Sequence, residues 1–109
     1  AGADRALDFY GAIGASKAAL ESLVRHLATE LGPKGVTVNV IRPGVVDTAA
    51  LDYFPNREQL LEVAELRTPN GRIVTPEDVA NVALLLASPL AGMIQGQTIC
   101  VDGGYSILA

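Results

Sequence analysis

One cysteine, Cys100, and one histidine, His26, are the whole supply of the two side chains that most often form disulfides or hold metals. A lone cysteine excludes an internal disulfide, and a reducing cytoplasm is the expected location. Mid-strand in the sequence pattern, Cys100 is expected to be buried and inert. His26 has no Asp, Cys or second His at ligand spacing, so no metal is expected, and a helix-face or subunit-contact role fits it better than catalysis. Basic charge is also scarce. Eight Lys and Arg stand against twelve Asp and Glu, a net charge of −4, which gives no reason to expect nucleic acid or an anionic membrane as partner. The longest strongly apolar run, Val79 to Ala87, is interrupted by Asn81 and is far too short to span a bilayer. Asp4, Arg5 and Asp8 break up the first ten residues, against a signal peptide. There is no internal repeat and no low-complexity segment, and 109 residues set a ceiling of one domain or part of one.

What is present is apolar. Half the residues are hydrophobic and 18% are charged, which suits an α/β protein whose strands are buried on both faces. Residues 1–9 read as a loop arriving from something upstream, with no initiator Met. From Tyr10 or Gly11 to Leu31 the pattern is helical, with Leu20, Leu23, Val24, Leu27 and Leu31 forming an apolar stripe. Gly32-Pro33 ends it, Gly32 being suited to a left-handed cap. Small residues (Gly11, Ala12, Gly14, Ala15, Ala18 and Ala19) crowd the helix start, where they allow a backbone, a helix or a flat ligand to come close.

Val36 to Ile41 reads as a strand, closed by Arg42-Pro43-Gly44. Loops at the carboxyl ends of strands hold ligands in open α/β sheets, so residues 42–48 are the natural partner of the first helix in a site. Val45 to Leu66 is expected to be a lid: irregular to Pro55, then a short helix capped by Asn56 with Gln59 three residues on. Thr68-Pro69-Asn70-Gly71 is a turn. Thr75 as N-cap, Pro76 and the acids Glu77 and Asp78 start a further helix with Val79, Val82, Ala83 and Leu86 as its buried face. Gln97 to Val101 is a second buried-type strand. Asp102-Gly103-Gly104 closes it as a turn, a better account of Asp102 than a catalytic acid. Helix, strand, helix, helix, strand is the crossover rhythm of a parallel sheet.

Tyr10 and Lys17 carry the clearest chemistry. Seven residues advance a helix by roughly 700°, so the two share a face, about 10 Å apart along the axis, if the helix includes both. A lysine beside a phenol favours the phenolate and makes the hydroxyl a better proton donor near neutral pH. A solvated lysine and a half-buried tyrosine at this spacing are the bland alternative. Arg42 and Arg72 could meet phosphates, and surface ion pairs explain them equally well. Tyr53 and Phe54 divide evenly between contact with an apolar ligand and simple lid packing.

Ser16-Lys17-Ala18-Ala19-Leu20, Asn39 with Pro43-Gly44-Val45-Val46-Asp47-Thr48, Gly96-Gln97 and Val101-Asp102-Gly103-Gly104 together resemble the second half of a short-chain dehydrogenase/reductase. In most members the tyrosine lies four residues before the lysine, where this chain has Ile13. A tyrosine seven before the lysine resembles the enoyl-acyl-carrier-protein reductases of the superfamily. Residues 5–10, 54–58 and 93–98 look closest to their NADPH-dependent branch.

The resemblance implies an α/β fold, the C-terminal half of a Rossmann-like doubly wound parallel sheet, with residues 1–109 as the C-terminal part of a single domain. The N-terminal dinucleotide-binding half, with its glycine-rich phosphate loop, is absent from the sequence. It implies reduction of an enoyl thioester, carried on acyl carrier protein or CoA, in fatty-acid synthesis, by a cytoplasmic homo-oligomer, a tetramer at full length. The implied cofactor is NADPH, with NADH as the alternative. Tyr10 would be the donor to the substrate oxygen, and Lys17 would bond the nicotinamide ribose. The Val46 backbone and Thr48 would hold the nicotinamide amide and the phosphate side, and Gly44 would let the chain pass close to the ring. Two other functions stay open: a carbonyl reductase of 3-oxoacyl or alcohol substrates in which Tyr10 is incidental, and a non-catalytic truncated piece of such an enzyme.

Overall fold

A computed structural model describes residues 3–108. Among them run α1 (Gly11–Leu31), β1 (Val40–Pro43), α2 (Arg57–Arg67), α3 (Pro76–Leu86) and β2 (Thr98–Val101), with short 3-10 turns between. β1 and β2 pair as a two-stranded parallel sheet. The chain folds as two compact units, one of Ala1–Val40 with Leu85–Ile99, the other of Ile41–Leu84 with Cys100–Ala109. Among the described residues no helix is long and apolar enough to cross a membrane.

In the first unit, α1 buries Gly14, Val24 and Ala28. Leu20 and Leu23 of the expected stripe remain about half exposed. The helix does not end in a left-handed cap at Gly32, which stays right-handed. A 3-10 turn, Gly32–Lys34, carries the chain on, because Pro33 near the start of a new turn needs no N–H. The left-handed residue is Gly35, φ 78°.

The first strand also starts later than expected, at Val40 rather than Val36. Before it, Val36 O and the Val38 N–H are taken by a side chain, while the Val36 N–H bonds Leu31 O (3.3 Å) and Val38 O accepts the Gly96 N–H (2.9 Å). Gln95 Nε2 donates to Val36 O (2.8 Å) and to Ala28 O (3.3 Å) at the end of α1. Gln95 Oε1 accepts the Val38 N–H at 2.6 Å. Asn39 works similarly, donating from Nδ2 to Ile94 O (2.8 Å) and accepting the Gln97 N–H (2.9 Å). Strand pairing begins just beyond, where the Val40 N–H meets Gln97 O at 2.8 Å.

In the second unit β1 and β2 continue to pair, the Gly44 N–H reaching Val101 O at 2.9 Å. Val46 and Val74 form a further parallel bridge. A 3-10 turn, Ala49–Tyr53, occupies the segment expected to be irregular. At the start of α2, Asn56 takes the left-handed conformation (φ 68°, ψ 42°) and makes no side-chain cap, so the expected Asn56–Gln59 capping pair does not form. Asparagine is among the few residues that tolerate this backbone. Thr68 to Gly71 is the expected turn, closed by Gly71 N–H to Thr68 O at 2.8 Å.

α3 starts as expected. The Thr75 hydroxyl accepts the Asp78 N–H (3.2 Å) and Asp78 Oδ2 accepts the Thr75 N–H (2.9 Å), a reciprocal cap. Its expected buried face is only half covered: Val79, Val82 and Leu86 are half-buried and Ala83 is exposed. Cys100, expected to be buried, is exposed. Alternation along β2 leaves Ile99 and Val101 half-buried and Cys100 outside.

Candidate active site

The first unit carries Tyr10 and Lys17. Tyr10 is the N-cap of α1, one residue ahead of the helix (φ −109°, ψ 6°), and its carbonyl accepts the Gly14 N–H at 2.7 Å. Lys17 lies two turns on and is exposed, while Tyr10 is half-buried. Neither side chain hydrogen-bonds another described residue, so phenol and ammonium are both available to a ligand. Tyr10 lines an open hollow of about 240 Å³ with Gly11, Gly14, Ala15, Ala18 and Leu7. The small side chains at the helix start thus leave space beside the phenol, as their sequence pattern led one to expect. Ile13 is exposed and offers no proton.

No sequence signal announces the bend just before this pair. Phe9 has φ 58°, unusual for a bulky residue, and its ring is fully in solvent. The Tyr10 N–H then bonds Leu7 O at 3.2 Å, which sets the phenol at the mouth of the helix.

The second unit carries Gly44, Val46 and Thr48. Gly44 is small for a reason visible in the packing: a Cβ there would lie 2.9 Å from Asp102 Cβ and 3.1 Å from Asp102 Cα. Asp102 is a turn residue, as expected. Its Oδ1 accepts the Gly104 N–H at 2.9 Å and its Oδ2 the Ser106 N–H at 3.0 Å. Burial pushes this carboxyl up, but the bonds from the Ser106 hydroxyl and the Gly104 and Ser106 amides outweigh it and hold the group below its ordinary range. Thr48 is extended (φ −133°, ψ 163°) and heads the 3-10 turn, its carbonyl accepting the Leu51 N–H at 2.9 Å. Its hydroxyl makes no capping bond and is exposed, leaving it free for a ligand.

Asp47, between Val46 and Thr48, pairs with Arg57. That contact joins residues ten apart with no periodic signal to announce it. Arg72 forms a two-pronged ion pair with Asp78, Nη1 to Oδ2 at 2.6 Å and Nη2 to Oδ1 at 2.9 Å. Of the two roles open to Arg72, the ion pair is the one the structure displays.

A parallel strand pair joined through helices, with a tyrosine and a lysine at the head of the first helix, is part of a Rossmann-type α/β oxidoreductase fold. The chain belongs to the family described as "Enoyl-(Acyl carrier protein) reductase", which it matches over residues 1–106. It is 44% identical over 108 residues to the Escherichia coli "Enoyl-[acyl-carrier-protein] reductase [NADH] FabI", covering 99% of this chain and 41% of that one. It is 39% identical over 110 residues to the "1-cyclohexenylcarbonyl-CoA reductase" of Streptomyces collinus, covering 99% and 39%. Among solved structures, the Bacillus cereus enoyl-acyl carrier protein reductase with NADP+ and indole naphthyridinone matches with a TM-score of 0.94 at 37% identity, over 99% of this chain and 42% of that one. The chain therefore spans about two fifths of the length of the relatives it matches.

Proposed function

We propose that the full-length protein reduces the double bond of an enoyl thioester in fatty-acid synthesis, and that residues 1–109 are the C-terminal part of a single Rossmann-type domain. The observation that carries this assignment is the place of Tyr10: it heads α1 beside a hollow, seven residues before Lys17, while the position four before the lysine is the apolar Ile13. The 44% identity to a relative named as an enoyl reductase supports it.

The residues fit a nicotinamide dinucleotide. An ammonium at Lys17 and a hydroxyl at Thr48, both exposed, suit ribose and phosphate oxygens. Lys17 would bond the ribose hydroxyls, and the Val46 backbone and Thr48 would take the nicotinamide amide and the phosphate side. Gly44 would let the chain pass close to the ring. Bound there, the cofactor supplies the hydride that reaches the β-carbon of the substrate.

Tyr10 meets the thioester oxygen, which lies two carbons further from the site of hydride arrival than a ketone oxygen would. A donor moved along the helix matches that displacement. Its hydroxyl stabilises the negative charge that develops on the oxygen, and interactions that strengthen in the transition state are the ones that speed the reaction. Lys17 keeps positive charge on the same helix as the phenol.

NADPH is the cofactor we assign, in line with residues 5–10, 54–58 and 93–98 and with the NADP+ held by the Bacillus cereus enzyme. NADH is the second candidate, favoured by the name of the Escherichia coli relative. The substrate is an enoyl thioester of acyl carrier protein or CoA, the protein works in the cytoplasm, and the full-length form is a homotetramer.

The test is turnover by the purified full-length protein, followed by loss of reduced nicotinamide absorbance. Crotonyl and acetoacetyl thioesters of acyl carrier protein and of CoA are offered with NADPH and with NADH. Consumption with crotonyl but not acetoacetyl thioester is expected. The reverse preference would make the protein a carbonyl reductase, and no turnover of either would leave it non-catalytic.

A further inference from the structure

One side chain reaches two acids of the loop assigned to the cofactor. Arg57, the first residue of α2, pairs through Nη2 with Asp47 Oδ1, and its Nε lies 3.3 Å from Asp52 Oδ1. Asp47 stands between Val46 and Thr48, and Asp52 lies in the 3-10 turn that follows. A single guanidinium thus gathers both carboxylates of the stretch from 47 to 57. A planar fork can reach two carboxylates at once, which a lysine ammonium on its flexible stem does poorly. The Nε atom is buried yet makes no hydrogen bond, so the two ion pairs, rather than a full set of hydrogen bonds, set where the group sits.

These side chains are 39% (Arg57), 49% (Asp47) and 65% (Asp52) exposed. At such exposure ion pairs add little to global stability. Their reach is local: they add a side-chain tie at Asp47, next to Val46, which already bridges Val74, and to Thr48, whose carbonyl already bonds the Leu51 N–H. We propose that Arg57 is a positioning residue for cofactor binding, holding that stretch against the start of α2 by pairing with Asp47 and Asp52. The proposal rests on the assignment of Val46 and Thr48 to the cofactor.

The full-length protein tests it with Arg57→Ala, Arg57→Lys, Thr48→Ala and the exchange Arg57→Asp with Asp47→Arg. Steady-state kinetics give KM for the reduced cofactor and kcat with crotonyl thioester, and hydrogen exchange reports amides 47–57. Arg57→Ala is expected to raise the cofactor KM about threefold to tenfold, the scale of a half-exposed charge-assisted pair. The value of kcat should hold within about twofold, because the chemical step is untouched. Arg57→Lys should fall between wild type and Arg57→Ala, and it carries the test if the alanine variant does not accumulate. The charge exchange should recover part of the lost affinity. Faster exchange at 47–57 with an unchanged cofactor KM, while Thr48→Ala raises that KM, overturns the proposal alone and leaves the cofactor assignment standing. An unchanged KM in Thr48→Ala sinks the assignment, and the proposal with it.

Discussion

Tyr10 is where the assignment is most exposed to test. Tyr10→Phe removes one hydroxyl from a half-buried ring, so folding should be unaffected. In the full-length protein, enoyl turnover should fall by about 10²–10³, the usual cost of losing one donor to a developing oxyanion, with cofactor affinity nearly constant. Lys17→Ala should also raise the cofactor KM. Turnover at the wild-type level in Tyr10→Phe would end the displaced-donor account. Gly44 makes a different prediction. Its added Cβ would press on Asp102 at 2.9 Å, so Gly44→Ala should destabilise the protein by roughly 1–3 kcal/mol in denaturant unfolding, whether or not cofactor is present. Stability equal to wild type would show that Asp102 yields freely. The spacing of Tyr10 and Lys17 was legible in the sequence, and the fold adds that Tyr10 stands one residue ahead of α1 with Lys17 two turns on. Gly44 was half legible: its smallness could be seen, but the neighbour that requires it, Asp102, is 58 positions away. The exposure of Cys100 was not legible, because a strand pattern does not say which face is covered.

Helix α3 shows the same division at the level of elements. Its start was legible in Thr75-Pro76-Glu77-Asp78, since caps and first-turn residues act locally. The part Arg72 plays there was not, and it changes how the cap titrates. Hydrogen bonds from the Arg72 guanidinium first, then from the Thr75 amide and hydroxyl, hold Asp78 well below its ordinary value of 3.8. A carboxylate depressed in the folded state stabilises it above the unfolded value, and that contribution is lost as pH falls toward the folded one. Asp78→Asn should therefore lower Tm at pH 7, and the gap to wild type should close progressively below about pH 4. A gap independent of pH would remove the charge from the explanation. The late start of β1 and the uncapped Asn56 were illegible for one reason. Both depend on partners distant in sequence or on a backbone angle, neither of which leaves a periodic trace.

At the scale of the molecule, the α/β rhythm was legible and the burial was not. Leu84, Leu90, Met93 and Tyr53 are each 74–97% exposed, and two strands alone are a marginal sheet. An apolar stripe in a sequence states what could be buried; only the rest of a fold decides what is. The 109 residues alone should therefore bind NADPH weakly in calorimetry and associate as their concentration rises in sedimentation, whereas the full-length protein should bind it one-to-one per subunit. Tight binding by the 109-residue piece would place the dinucleotide site wholly within it.

Gln95 has a consequence for a change of a single atom. Its amide uses two donors on carbonyls, Ala28 O and Val36 O, and one acceptor on the Val38 N–H. Gln95→Glu keeps the shape of the side chain and inverts its meaning, setting an anionic oxygen against two carbonyl oxygens. The cost should be roughly 1–3 kcal/mol at neutral pH, that of bonds lost and acceptors opposed. A carboxyl so placed favours its protonated form, which can donate again, so its pKa in the fold lies above the ordinary glutamate value of about 4.3. The variant's deficit should therefore shrink on acidification and grow as pH rises through that raised value. An isosteric substitution would make the strand entrance sensitive to pH, held more firmly in acid than at neutrality.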